Sequence, residues 1–196
     1  MSPKNQNYFG TNFISYYSVS IVKTNKMTSL KNELIGTWEL LSYIEVPIDG
    51  TDSIFPMGKN PTGLLIFSSD DYMSLQISAN PRLPYSTNDR FTASQDELVS
   101  GFNTYVAYCG QYEINSRTGI VSYHITNSLY PNFDNTTLRR KATFEADVLY
   151  LKSLDPILSN NSLVNSYLTW KKIEKGISIS NRLDALQSDN NLLSEL

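Results

Sequence analysis

One cysteine and one histidine are all that 196 residues provide of two side chains on which much metal and nucleophile chemistry rests. A lone Cys109 excludes an intramolecular disulfide and any cysteine-rich zinc site. A lone His124 leaves a transition-metal centre short of its usual ligands. Neither a metal nor a cofactor is therefore expected. Basic charge is also scarce: Lys+Arg 16 against Asp+Glu 19 gives a net charge of -3, without the basic footprint that nucleic acid requires. No apolar run approaches the roughly 20 residues needed to span a bilayer. The first residues mix Lys, Asn, Tyr and Ser and lack the apolar core of a secretory leader. The expected compartment is the cytosol, where the acceptor patterns at Asn135-Thr136-Thr137 and Asn160-Asn161-Ser162 carry no weight for glycosylation. Gly58 to Gly63 lacks the Gly-Lys-Ser/Thr ending of a phosphate loop. Asp70-Asp71 reads as a turn rather than a carboxylate pair.

What is present is apolar and aromatic. Hydrophobic residues make up 40% and aromatics 12%, enough to pack one core. Three parts are read: residues 1–28 as an N-terminal extension, 29–173 as the folded body and 174–196 as a polar tail. Met27-Thr28-Ser29-Leu30 would serve as an alternative start, and Phe13 to Tyr17 could add a strand. In the tail, Ile179, Leu183, Leu186, Leu193 and Leu196 recur at near-helical spacing, which suggests a short amphipathic helix able to pack on the body or a partner. Within the body, Ser29 to Leu34 reads as a short capped helix. Strand signals follow at Thr37–Val46, Gly63–Ser68, Tyr72–Ser78, and about 104–114, 119–128, 137–145, 148–153 and 165–173. One helical insertion begins at Ser94-Gln95-Asp96-Glu97. Eight short strands joined by turns imply a sandwich or a closed barrel. An eight-stranded barrel has an interior that side chains or one small ligand can fill.

Gly36-Thr37-Trp38 at the start of the first strand resembles the Gly-x-Trp signature of lipocalins. The wider set resembles a lipocalin-like domain family of bacteria and fungi. It comprises Leu34 to Tyr43, Met57 to Ile66, Tyr72 to Gln76, Tyr105 to Gly110, His124, Ser128 to Asn132, Arg140 and Trp170. The likeness covers residues 30–173 in order, and departs in both tails and in the Asn-rich stretch Ser159 to Ser162. It implies an all-β, eight-stranded antiparallel lipocalin-like barrel with a short helical insertion, flexible tails and an internal cavity. Members often accompany natural-product biosynthesis, and many have no assigned activity. In lipocalins the Gly-x-Trp tryptophan plugs one end of the barrel, so Trp38 and Trp170 read as structural.

Candidate site residues follow from strand parity. Ser122, His124, Thr126 and Ser128 share one face of their strand; Val121, Tyr123, Ile125 and Leu129 share the other. If the polar face lines the cavity, His124 is a candidate general acid or base, because imidazole titrates near neutral pH. If the apolar face points inward, His124 lies on the surface. We take the inward alternative as the expectation, with His124 near Arg140 or a Tyr hydroxyl. Arg139 and Arg140 alternate, so one points in. An inward Arg needs an anionic ligand or a carboxylate such as Glu113 or Glu39. Tyr108 and Tyr112 share a parity that Tyr105 and Cys109 do not. Tyr suits a flat oxygenated ligand, although ordinary β packing accounts for any single one. Cys109 has no adjacent base, and buried filler is its alternative reading. Ser74 and Gln76 could orient a carbonyl if their face is internal. His124, Gln76 and Tyr108 are thus catalytic candidates; Ser74, Tyr105, Cys109, Tyr112, Ser122, Thr126 and Arg140 are ligand-binding candidates.

Two functions fit. One is a cofactor-independent cyclase or isomerase acting on a hydrophobic polyketide or terpenoid intermediate held in a productive fold. The other is a carrier of a small hydrophobic molecule. A polar, titratable set converging in the cavity favours the first, and a uniformly apolar lining the second. Because residues 1–27 lie outside the family-like stretch, their deletion is expected to leave the fold intact. A melting temperature within a few degrees of the full chain would confirm this, and a large drop would make the segment integral.

Overall fold

The computed structural model describes residues 29–174. Its strands are two-faced, as a period of two requires. In β3 (Tyr72–Ser78), Met73, Leu75 and Ile77 are buried while Ser74 and Gln76 point the other way. The same division recurs in β1 (Gly36–Pro47), β2 (Thr62–Phe67), β4 (Tyr105–Asn115), β5 (Ile120–Ser128), β6 (Thr137–Glu145), β7 (Val148–Ser153) and β9 (Ser162–Lys172). A sheet with one apolar face must cover it, and this sheet does so by closing on itself. Consecutive strands pair antiparallel from β1 to β7, β9 follows β7, and β1 pairs with β9 along nearly its whole length. The fold is the all-β, eight-stranded antiparallel barrel expected from the strand signals.

One further strand lay unread in the sequence. β8 (Ile157–Ser159) pairs with the start of β9. The turn between them is Asn160-Asn161, with φ of 46° and 63°. Two successive positive-φ residues make the hairpin turn that matches strand twist, and Asn tolerates that backbone better than most residues. The Asn-rich departure from the family pattern is therefore a hairpin corner.

The two ends of the barrel differ. At one end α1 (Leu30–Leu34), capped by Ser29 accepting from the Asn32 N–H, lies under the interior. Fully buried Leu34 and Trp38 meet there, and the Trp38 indole N–H donates to the Leu34 carbonyl at 2.9 Å. The Lys172 ammonium sits 4.9 Å from the Trp38 ring centroid and donates to the Glu33 carbonyl at 2.7 Å. At the other end α2 (Gln95–Asn103) has no buried residue and stands at the rim. Between the ends, Leu65, Phe67, Met73, Leu149 and Trp170 fill the floor.

Two irregularities re-aim side chains. The β1–β9 register shifts between Leu40 and Ser42, so Trp38 and Leu40 face inward before the shift and Tyr43 and Glu45 after it. The β4–β5 register shifts between Cys109 and Gly110. A Cβ at Gly110 would overlap the His124 carbonyl, so only glycine admits this close strand approach. The reading of residues 1–28 as an extension and of a helix within 174–196 falls, apart from Glu174, outside the described residues.

Trp38→Ala removes the floor plug and its hydrogen bond together. It is expected to cost about 3–5 kcal/mol, read as a shift of the denaturant midpoint without loss of the β-rich circular dichroism spectrum.

Candidate functional site

Above the floor the barrel leaves a cavity of about 320 Å³. Small-molecule sites span roughly 300–1,000 Å³, so the space suits a ligand of one or two rings. Its walls come from the ends of strands that meet at the rim: the second half of β1, the end of β3, the start of β4, the start of β6, and β8. Most of the lining is apolar, including Leu75, Ile77, Val106 and Leu168.

One wall is aromatic from rim to floor. Phe102 of α2 meets Tyr130 at 6.4 Å, and Tyr130 meets Phe133 edge-on at 5.1 Å. Phe133 lies edge-on to Tyr108 at 6.2 Å, and Tyr108 lies 6.4 Å from Tyr123. Phe67 continues the series to Tyr112 at 4.9 Å. Such tilted and edge-on contacts follow from the ring quadrupole, and they present ring faces and edges to the space beside them.

Opposite charges also face this interior. Arg140 of β6 is 8% exposed, and its guanidinium donates to the Ser166 hydroxyl at 2.8 Å. The Ser166 N–H donates in turn to the Ser153 hydroxyl at 3.0 Å, in place of a backbone partner. No carboxylate among the described residues pairs with Arg140. Glu45 of β1 is 2% exposed. Its Oε1 accepts from the Tyr43 hydroxyl at 2.6 Å, and its Oε2 is buried without a partner. Burial first, and then the Glu45 charge, hold the Tyr43 phenol far above its ordinary range, so it stays a donor. Burial likewise raises Tyr108, against the pull of Arg140. It also raises Tyr123, whose hydroxyl has no partner. Chemically, the cavity offers a guanidinium with spare N–H groups, a carboxylate oxygen with a spare lone pair, and an aromatic wall.

Of the residues singled out from sequence, the structure brings Arg140, Tyr108 and Tyr105 to this cavity. Tyr105 stands at the rim, its ring 5.0 Å from the Arg82 guanidinium. Tyr112 is internal but lower. Its hydroxyl donates to the Ser68 carbonyl at 2.9 Å, and burial followed by Asp71 and Asp70 pushes its pKa up to about 12.

The inward facing expected of His124 is corrected. Val121, Tyr123 and Ile125 point inward, which turns Ser122, His124 and Thr126 outward. Burying three large apolar groups outweighs enclosing three polar ones. The imidazole of His124 is half-exposed, 3.0 Å from the Thr137 hydroxyl and 3.7 Å from the Glu113 carboxylate. Glu113 thus lies outside and does not pair with Arg140. Arg139 also points out, to Asp155 at 2.7 Å. Ser74 and Gln76 bond to each other at 2.7 Å on the outer face, where they border a shallow depression with Cys109 and Ser128.

Tyr43 and Glu45 went unread. Counting parity from Trp38 places both outside, and only the irregularity at Leu41 brings them in.

The matching family model is described as a lipocalin-like domain and covers residues 35–173. The chain belongs to that family. A curated relative from Aspergillus oryzae (strain ATCC 42149 / RIB 40) is named a 4'-hydroxy-3'-methoxypropiophenone carrier protein. It is 28% identical over 110 residues, which are 53% of this chain and 98% of the relative.

A buried guanidinium without a carboxylate partner contributes little to folding. Arg140→Met is therefore expected to leave the melting temperature unchanged or to raise it; a fall of several degrees would show that the charge is structural. At the rim, the Glu97 carboxylate accepts the Ser86 N–H at 2.6 Å and the Ser94 N–H at 2.8 Å. These bonds lower its pKa from 4.5 to about 2. Because the folded value is the lower one, this contribution is complete above the ordinary range and is lost as pH falls from 4.5 toward about 2. Hydrogen-exchange protection at Ser86 and Ser94 is expected to fall across that window before protection in the barrel strands does.

Proposed function

We propose that this protein binds a small, flat, oxygen-bearing hydrophobic molecule in the barrel and carries it in the cytosol. The observation that supports this best is the Arg140 guanidinium, held by Ser166 without a carboxylate partner, beside an aromatic wall in a cavity of about 320 Å³. A carbonyl or phenol oxygen would meet Arg140 and Tyr108 while its ring lies against Phe133 and Tyr130. The name of the Aspergillus oryzae relative supports the same ligand class, because the molecule it names is an aryl ketone carrying a phenol. In this reading Arg140, Tyr108 and Tyr105 contact ligand, and His124, Gln76, Ser74 and Cys109 do not.

The second reading is a cofactor-independent cyclase or isomerase acting on a polyketide or terpenoid intermediate. The buried Tyr43–Glu45 pair favours it, because a carrier has no need of an acid–base group at its ligand. Residual product formation from such an intermediate would separate the two.

Titration calorimetry with 4'-hydroxypropiophenone tests the binding itself. Arg140→Met is expected to weaken affinity at least tenfold, about 1.4 kcal/mol, and His124→Ala to change it less than twofold. Equal affinity in wild type and Arg140→Met would move the ligand elsewhere.

A further inference from the structure

We propose that the cavity enolises a carbonyl compound bound in it, with Glu45 taking the α-proton and Arg140 holding the oxygen. The inference rests on the binding reading above, but it adds a chemical step and assigns its base to Glu45, which lies outside the residues that carry the family likeness.

The two groups are matched to that step. Glu45 enters the interior only because of the irregularity at Leu41, and it is then 2% exposed with Oε2 free of any protein donor. The Tyr43 hydroxyl at 2.6 Å fixes the carboxylate through Oε1, which leaves Oε2 as the oxygen with an open lone pair. Arg140 is anchored by Ser166 through one nitrogen, and its remaining N–H groups have no carboxylate to satisfy them. Both side chains line the same cavity, with Tyr108 beside Arg140. If the two were needed only to neutralise each other they would form an ion pair, and they do not. Both flank Ser166, which Glu45 faces across the β1–β9 ladder and Arg140 bonds, so an acceptor and a donor are presented to the same small ligand.

In the step, a C–H bond α to the carbonyl breaks and its proton passes to Glu45 Oε2. The C–H electron pair becomes the C=C bond, and the carbonyl π pair moves onto oxygen, where the Arg140 guanidinium meets the developing charge. Reversal returns a proton to the same carbon, so no oxidant, reductant or co-reactant is consumed. General-base catalysis of this kind contributes typically 10²–10⁴-fold, and a preorganised donor at the oxygen adds to it. Enolisation is also the first event in isomerisation of an unsaturated ketone and in aldol-type ring closure.

The test is deuterium incorporation at the α-carbon of 4'-hydroxypropiophenone in D₂O, followed by mass spectrometry beside calorimetric binding. Wild type is expected to exchange the α-hydrogens at least tenfold faster than buffer. Glu45→Gln, which keeps an oxygen for Tyr43, is expected to return the rate to the buffer value with affinity within about threefold. A second readout needs no variant: exchange catalysed by a protein base should not rise in proportion to hydroxide, as exchange in buffer does. The titratable or charged groups lining the cavity are Tyr43 and Glu45 of β1, Tyr105 and Tyr108 of β4, Tyr130, and Arg140 of β6. Binding without exchange above buffer overturns the proposal and leaves the carrier reading standing. Exchange unchanged in Glu45→Gln, or proportional to hydroxide, removes Glu45 from the step. Absence of binding overturns the ligand reading and this inference together.

Discussion

One extra residue in β1 decides what the barrel encloses. Up to Leu40 the strand presents its even-numbered residues to the interior, and from Tyr43 onward its odd-numbered ones. Without that shift the barrel would still close, because the ladder to β9 resumes at Ser42 and runs on to Pro47. Its upper half, however, would be lined by the other face of β1. A local backbone irregularity that costs one ladder position thus adds a carboxylate and a phenol to the cavity that Arg140 and Tyr108 already line. Bulges commonly re-aim side chains in this way near functional sites.

The interior is layered. The floor is dry and aromatic-aliphatic, with Trp38, Trp170, Phe67 and Leu149 in mutual contact and the α1 carbonyl of Leu34 satisfied by an indole N–H. Among the described residues, the buried polar side-chain atoms without a partner are Glu45 Oε2, the Tyr123 hydroxyl and the Trp170 indole N–H of the floor. Buried polar atoms are normally paired, and of these three only Glu45 belongs to a residue that lines the cavity. The Ser153–Ser166–Arg140 relay serves the upper layer. At the end of β7 the Ser153 hydroxyl accepts the Ser166 N–H, and the Ser166 hydroxyl accepts from the guanidinium.

Fold and site were legible to different degrees. Period-two alternation, the Gly36-Thr37-Trp38 opening and the turn at Arg117 to Gly119 were enough to place eight strands and their order. The hairpin corner at Asn160-Asn161 was hidden because two Asn at positive φ look, in sequence, like any polar loop. Arg140 and Tyr108 were readable as candidates only: alternation says that one of Arg139 and Arg140 points in and that Tyr108 shares a face with Tyr112, but not which face is internal. His124 was misplaced because a polar row was weighed as a cavity lining, whereas Val121, Tyr123 and Ile125 held the stronger claim on the interior through their buried area. Glu45 could not be read at all, since parity carries no information past a register shift.

Ser29 and Glu174 both lie at the floor, on the side of α1 and the end of β9, while the rim carries α2 and the β8–β9 corner. A scaffold, resin or second enzyme joined directly at Ser29 or at Glu174 would therefore hang below the plugged end. The opening would face away from such an attachment and stay as accessible on a tethered molecule as on one in solution.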